Sequence, residues 1–315
     1  MISIVIPLYN KSQSITSTIK CIQAQTYQDF EIIVVDGWST DGSTEIIKSL
    51  AAEDPRIKVL MQKDRHGVTP ARNESVIASS CEHIAFLDAD DYWEPAYLER
   101  LVKLITDFPT AGIWGLAYGE MRDSRKYDSF STIDRSFRGV IDNPWIAGCP
   151  YWTGATAVSR KAFDAVGGFD NRIIYGEDID LWYRVMLAFP AAFDATETLA
   201  YYRTDAENRA CEHEFPLKLH IPYYIDKYAS ARAENIDFRR FFDLQCLYRL
   251  FPYTKDKEYR KDLQRILKQI DFSLQKPSMR LRFIFPRLYR LHQRRKGRED
   301  ARLDAYQGGS KDKEI

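Results

Sequence analysis

Four short apolar runs, at residues 2–8, 31–35, 57–61 and 84–87, constrain the fold of this chain more than any other feature. Runs of this length that are apolar at nearly every position suit strands buried on both faces, and such strands belong to parallel sheets. After the first run Ile15, Ile19 and Ile22 recur at helical spacing. Residues 44–50 follow the second run as a helix. Pro70, suited to a first turn, opens a third helix reaching about residue 79. Strands alternating with helices through short links predict an α/β fold with a doubly wound, mostly parallel sheet and right-handed crossovers.

Further along, Leu98, Leu101, Val102 and Ile105 mark a helix, and residues 112–118 a strand. Residues 161–166 read as a helix closed by a turn at Gly167 and Gly168. Ile179, Trp182, Val185, Met186 and Phe189 form another helix face, and residues 193–203 a last strand. Between 121 and 150 the periodicity fades, which predicts a long loop. From about residue 217 onward the pattern is helical. With 315 residues, 45% hydrophobic, the chain can bury one substantial core plus an appendage. The expected division is a domain over 1–205 and a helical C-terminal extension over 206–315.

Basic and acidic residues balance at 45 each, so no global field favours nucleic acid. Five dispersed cysteines without a C-x-x-C pair read as reduced thiols and not as a disulfide frame or zinc site. The opening residues lack the pattern of a signal peptide, and no apolar run is long enough to span a bilayer. A cytoplasmic protein, soluble or peripheral on the inner face of the cell membrane, is expected.

Carboxylates crowd the strand exits. Asp88, Asp90 and Asp91 follow the run 84–87, and Asp36 follows the second run. In open α/β sheets, ligands bind outside the carboxyl ends of the strands. Adjacent like charges repel unless something positive sits among them, and a Mg²⁺ or Mn²⁺ ion carrying a phosphate meets both demands. A solvated acidic turn in which Asp90 or Asp91 caps the next helix accounts for the same residues. At the residue level the two readings stand side by side.

Taken in order, SIVIPLYNK (3–11), FEIIVVDGWSTDGS (30–43), GVTPARN (67–73), FLDADDYWEP (86–95), TGATAVSR (153–160) with VGGFD (166–170), and GEDIDLWYR (176–184) resemble the signature of family 2 glycosyltransferases. These are inverting enzymes with the Rossmann-like GT-A fold, and the resemblance covers residues 1–203. It implies a nucleoside-diphosphate sugar donor, a UDP-sugar in the first instance. It further implies a glycan or lipid-linked acceptor in cell-surface polysaccharide biosynthesis, and a Mn²⁺ or Mg²⁺ cofactor.

By that resemblance Asp90 is the metal ligand and Asp88 lies nearer the ribose. Pro7, Tyr9 and Asp36 line the nucleotide pocket, Arg72 approaches the nucleotide, and Asp178 is the general base. Asp178 lies in the first turn of its helix, where complementing the helix dipole would also account for it. Glu177, Asp180 and Asp178 cannot all be catalytic. On the acceptor side the candidates are Trp152, Gly154 and Glu177, with Trp145 and Tyr151 as further members of an aromatic platform. Two positions depart from the family pattern. Gly37 stands where many members carry a second Asp that contacts the base, which weakens uridine specificity and leaves guanosine and thymidine donors open; Thr204-Asp205 stands where a His often follows, so that Asp205 is either a substitute oxygen ligand or a surface residue.

Residues 276–298 contain no Asp or Glu and interleave arginines with apolar side chains. Such a stretch can hold a protein on an anionic membrane surface or dock as a helix with its arginines in solvent. Two rival functions remain at this level. One is a haloacid-dehalogenase-type phosphohydrolase with Asp88 as nucleophile and Asp90 as acid, opposed by Tyr92 where a small residue belongs. The other is a non-catalytic glycan-binding module, opposed by the joint presence of Asp88, Asp90 and Asp178.

Overall fold

In the computed structural model, which describes residues 1–63, 67–128, 133–209, 215–287 and 289–290, the apolar runs become strands whose carboxyl ends line up along one edge. The order is β1 (Ile2–Leu8), α1 (Ile15–Gln23), β2 (Phe30–Asp36), α2 (Ser43–Glu53), β3 (Ile57–Met61), α3 (Val68–Ala78), β4 (His83–Phe86), β5 (Tyr92–Trp93) and α4 (Tyr97–Asp107). There follow β6 (Ile113–Arg122), β7 (Arg125–Asp128), β8 (Arg138–Val140), α5 (Pro144–Ala147), β9 (Thr156–Ser159), α6 (Arg160–Val166), α7 (Glu177–Ala188) and β10 (Ala191–Arg203).

The main path of the sheet runs β3-β2-β1-β4-β9-β6-β10-β5. β1 is parallel to β2 and β4, and β2 is parallel to β3, so Leu8 pairs with Asp36 and Asp36 with Met61. Alternation then explains two buried faces. Ile2, Ile4, Ile6 and Leu8 share one core with Ile15, Ile19, Leu98 and Leu101. Phe86 turns the other way and meets Phe169 and Trp182 edge-on, with ring centroids 5.5 Å away in each case. Emptying a side-chain position in such a core costs about 2–5 kcal/mol.

The second half of the sheet departs from the parallel rule. β9 runs antiparallel between β4 and β6, and β5 runs antiparallel to β10. The expected loop over 121–150 also resolves into short elements. β6 continues to Arg122 and turns at Asp123 and Ser124, both with positive φ of 48° and 63°, into β7. Two consecutive residues in that region make the tight turn a hairpin favours. β7 is exposed at three of its four positions, so no apolar alternation marks it in the sequence. Tyr151, expected on an acceptor platform, is instead buried. Its ring occupies the space a side chain on Gly115 would need, and its hydroxyl donates to Ala192 O at 3.0 Å. Trp145 is buried as well.

The chain divides into two compact units, Met1–Arg209 and Ala210–Ile315. The second is helical, with α8 (Ala229–Glu234), α9 (Ile236–Leu250), α10 (Arg260–Leu267) and α11 (Pro277–Ile284) joined by 3₁₀ turns. Its interior pairs Arg232 with Asp243 at 2.7 Å and packs Tyr228, Phe238 and Phe242 ring against ring. Among the described residues no helix is long and apolar enough to cross a membrane. Of the basic stretch 276–298, residues 288 and 291–298 lie outside the described residues, as does Cys211.

Candidate active site

Beyond β4 the chain leaves the sheet through Asp88, Asp90 and Asp91. Helix α4 starts at Tyr97 with Ala96 at its cap and no side-chain cap bond, so neither Asp90 nor Asp91 caps it. Asp90 Oδ2 instead accepts from Lys11 Nζ at 2.6 Å. The same ammonium donates to the carbonyls of Glu207 and, at 3.1 Å, Asn208. Burial pushes the Asp90 carboxyl up from its ordinary range, Lys11 pulls it down and Asp88 pushes it up again, with a net rise. Asp91 is driven well above its ordinary value by burial and by Asp90 and Asp88. One Asp91 oxygen accepts from Arg203 N–H at 3.1 Å, while the other is buried without a partner.

A hard cation would relieve this crowding, and the donor set fits one. Among the described residues no group of three or more His, Cys, Asp or Glu is arranged to hold a metal. Asp90 and Asp88 could supply one or two carboxylate ligands, and phosphate and water oxygens would have to complete the shell. Asp205 lies elsewhere in the bonding pattern, accepting from Asp123 N–H at the β6–β7 turn at 2.9 Å.

Arg72, buried in α3, links this edge to α7. Its Nη2 donates to Asp88 Oδ1 at 2.6 Å and its Nη1 to Glu177 Oε1 at 2.7 Å. Burial works against its charge, yet Asp88, Glu177 and Asp178 together hold its proton more tightly than usual. Glu177 is raised to about 7 by burial and by neighbouring Asp178, which Arg72 offsets only in part. Asp178 Oδ2 accepts from the hydroxyl of Thr153 at 2.7 Å. Asp180 is fully buried and tied to Arg184 at 2.6 Å, which removes it from any role toward a ligand.

Around the exits of β1 to β3, Pro7 is half-buried and Tyr9 is 42% exposed. Asp36 is fully buried, with its oxygens taken by Ser39 N–H at 2.9 Å and by the hydroxyl of Thr44, so it shapes the turn after β2. That turn carries Gly37 and the exposed Trp38. On the other side, Trp152 is half-buried and packs against Tyr118 and Tyr202, with centroids 4.9 and 5.9 Å away. A Cβ on Gly154 would fall 2.3 Å from the Trp152 ring, so the glycine is what lets the indole lie there.

Thus Asp88, Arg72, Glu177 and Asp178 are brought together, with Asp90 at the same strand exit. Lys11, Thr153 and Gln62 carry no role in the motifs, although each had a signal. Lys11 ends the first motif, Thr153 opens the TGATAVSR stretch, and Gln62 is the first residue past β3, a strand exit like those of Asp36 and Asp88.

Comparison with known proteins matches residues 3–167 to the family model described as Glycosyl transferase family 2. An uncharacterised glycosyltransferase of Nostoc sp. is 37% identical over 220 residues, 66% of either chain. The amylovoran biosynthesis glycosyltransferase AmsB of Erwinia amylovora is 28% identical over 215 residues, 60% of this chain and 68% of that one. The chain spans about two thirds of the length of these two relatives. Among solved structures, S. aureus TarS 1–349 in complex with UDP-GlcNAc superposes with a TM-score of 0.67 at 16% identity, over 97% of this chain and 89% of that one. The mannosyltransferase PcManGT of Pyrobaculum calidifontis, in complex with GDP-Man and Mn²⁺, gives 0.51 at 18% identity over 85% and 68%. At these identities the structural likeness is one of fold.

Proposed function

This chain belongs to glycosyl transferase family 2 and has its GT-A fold, and from that premise we propose that it moves a sugar, with inversion, from a nucleoside-diphosphate donor to a hydroxyl of a glycan or lipid-linked acceptor during cell-surface polysaccharide assembly. Membership sets aside the phosphohydrolase alternative. The observation that carries the reading is Arg72, which ties Asp88 at the strand exit to Glu177 beside Asp178 through bonds of 2.6 and 2.7 Å. One buried guanidinium thereby holds a donor-side carboxylate and the base-bearing helix at a fixed separation, as a displacement between two substrates requires.

In this reading Asp178 takes the proton of the acceptor hydroxyl while Thr153 fixes one of its oxygens. The acceptor oxygen bonds to the anomeric carbon as the bond to the diphosphate breaks on the opposite face. Asp90, with Asp88 beside it, would hold a Mn²⁺ or Mg²⁺ ion, which supplies Lewis-acid stabilisation of the leaving diphosphate. Pro7, Tyr9 and Asp36 shape the nucleotide pocket, and Trp152 over Gly154 offers a ring face to an acceptor sugar. The names of the amylovoran relative and of a putative teichuronic acid biosynthesis glycosyltransferase of Bacillus subtilis support a polysaccharide product. The test is release of the nucleoside diphosphate from UDP-, GDP- and TDP-sugars with Mn²⁺ or with EDTA. Release from one donor class, dependent on metal and lost in Asp90→Ala, is expected. Release from none, or equal release with EDTA and in Asp90→Ala, overturns the proposal.

A further inference from the structure

Gly37, the first residue past β2, leaves open space at the exit of the sheet, and Gln62 borders it. Gln62 N–H donates to Asp36 C=O at 2.9 Å, which carries the β2–β3 pairing one residue past Met61 and sets Gln62 beside Gly37. The residue is 1% exposed. Nε2 donates to Gly67 C=O at 3.1 Å, and Oε1 has no partner. The amide cannot be turned over to cure this, because Oε1 would then face the Gly67 carbonyl. A buried acceptor left without a partner is destabilising, so a donor arriving there gains strongly.

The oxygen is aimed at the gap left by Gly37. A Cβ on that residue would stand 3.3 Å from Oε1, 3.5 Å from Leu8 O and 3.8 Å from the Cβ of Tyr9. Trp38, in the left-handed region at φ 65° and 49% exposed, donates its indole N–H to Gln62 O at 3.0 Å. Two exposed aromatic rings and one orphaned amide oxygen therefore surround a glycine at the exit of the sheet.

We propose that Gln62 Oε1 reads the nucleobase of the donor, accepting the N3–H of a uracil-type imide ring that enters over Gly37 between Tyr9 and Trp38. The choice of base follows from hydrogen-bond arithmetic. Uracil and thymine present one ring N–H between two carbonyls, matching one unpartnered acceptor. Cytosine and adenine present a ring acceptor at the corresponding place, against which Oε1 is repulsive. Guanine presents two adjacent donors, of which a single oxygen satisfies one. Discrimination of this kind is large when a buried polar group is otherwise left unpaired.

This inference rests on the nucleoside-diphosphate reading, and calorimetry on the full chain with Mn²⁺ separates the two. UDP and 5-methyl-UDP are expected to bind at least tenfold more tightly than CDP, GDP or ADP, and the 5-methyl compound tells uracil from thymine as the preferred imide. N3-methyl-UDP should bind the unaltered protein at least tenfold more weakly than UDP, and Gln62→Leu should bind UDP and N3-methyl-UDP alike. Because the methylated analogue needs no substitution, the test survives a Gln62→Leu protein that fails to fold. Equal binding of UDP and N3-methyl-UDP, or of UDP and CDP, by the unaltered protein overturns the role of Gln62 and leaves the transferase reading intact. Binding of no nucleoside diphosphate overturns both.

Discussion

At Asp178 the same carboxylate is held by the Thr153 hydroxyl and stands beside Glu177, whose proton is retained to about 7. Asp178→Asn keeps the shape of the side chain and removes its capacity to take a proton. Product formation with acceptor present is expected to fall by about 10²–10⁴ in kcat, with donor affinity unchanged. Asp180→Asn breaks the buried pair with Arg184 instead. Such a break costs about 3–5 kcal/mol, so its loss should appear in Tm before it appears in turnover. Glu177 makes a pH prediction. Its folded value, about 7, lies above the ordinary 4.5, so its stabilising share is full below about 4.5 and is lost as pH rises through about 7. Glu177→Gln, a mimic of the protonated form, should therefore gain in Tm relative to the unaltered protein as pH is raised from 5 to 8. A difference that does not vary with pH would place the proton elsewhere.

Among the described elements, α11 leaves apolar side chains uncovered by the core. Leu281 and Ile284 in α11 are 54% and 53% exposed, and Phe285 just past its end 52%, beside Arg280 and Arg282. An apolar stripe flanked by cations suits the headgroup boundary of an anionic bilayer. The double variant Leu281→Glu, Phe285→Glu is expected to lose sedimentation with phosphatidylglycerol vesicles while still hydrolysing donor in solution. Undiminished sedimentation would make the stripe irrelevant to membranes. The β6–β7 hairpin shows the opposite relation between pattern and structure, because its turn rests on Asp123 and Ser124 and its exposed strand carries charged residues at most positions.

For the whole molecule, the unit Met1–Arg209 contains its own core and every residue proposed for the site. Its end is bonded to its beginning. The Glu207 carboxylate accepts from Gln13 N–H and Ser14 N–H at 3.1 Å, and the Glu207 and Asn208 carbonyls accept from Lys11. A chain ending at 209 should therefore unfold cooperatively and bind nucleoside diphosphate as the full chain does. A chain ending at 203 loses both sets of bonds. A lost helix-terminal carboxylate costs about 0.5–2 kcal/mol, and thermal melts of the two chains with and without ligand measure it. Equal melts would make residues 204–209 dispensable.

How much was legible follows from the range of each interaction. Strands buried on both faces write themselves as apolar runs, and ligand sites sit where such runs end, so β1 to β4 and the carboxylates at their exits could be read directly from the sequence. The antiparallel insertion of β9 could not, since strand direction depends on which neighbours the chain reaches after its turns. Nor could the partners of Arg72, which stand 16 and 105 residues away, or the pairing of Lys11 with Asp90, 79 residues off. The sequence by itself determined the α/β alternation, the edge where the carboxylates gather and the residue types available there. Only the tertiary structure decided which charges are paired and which acceptors, that of Gln62 among them, stay unpaired, because burial and register, set by the packed sheet, determine what each polar atom can reach.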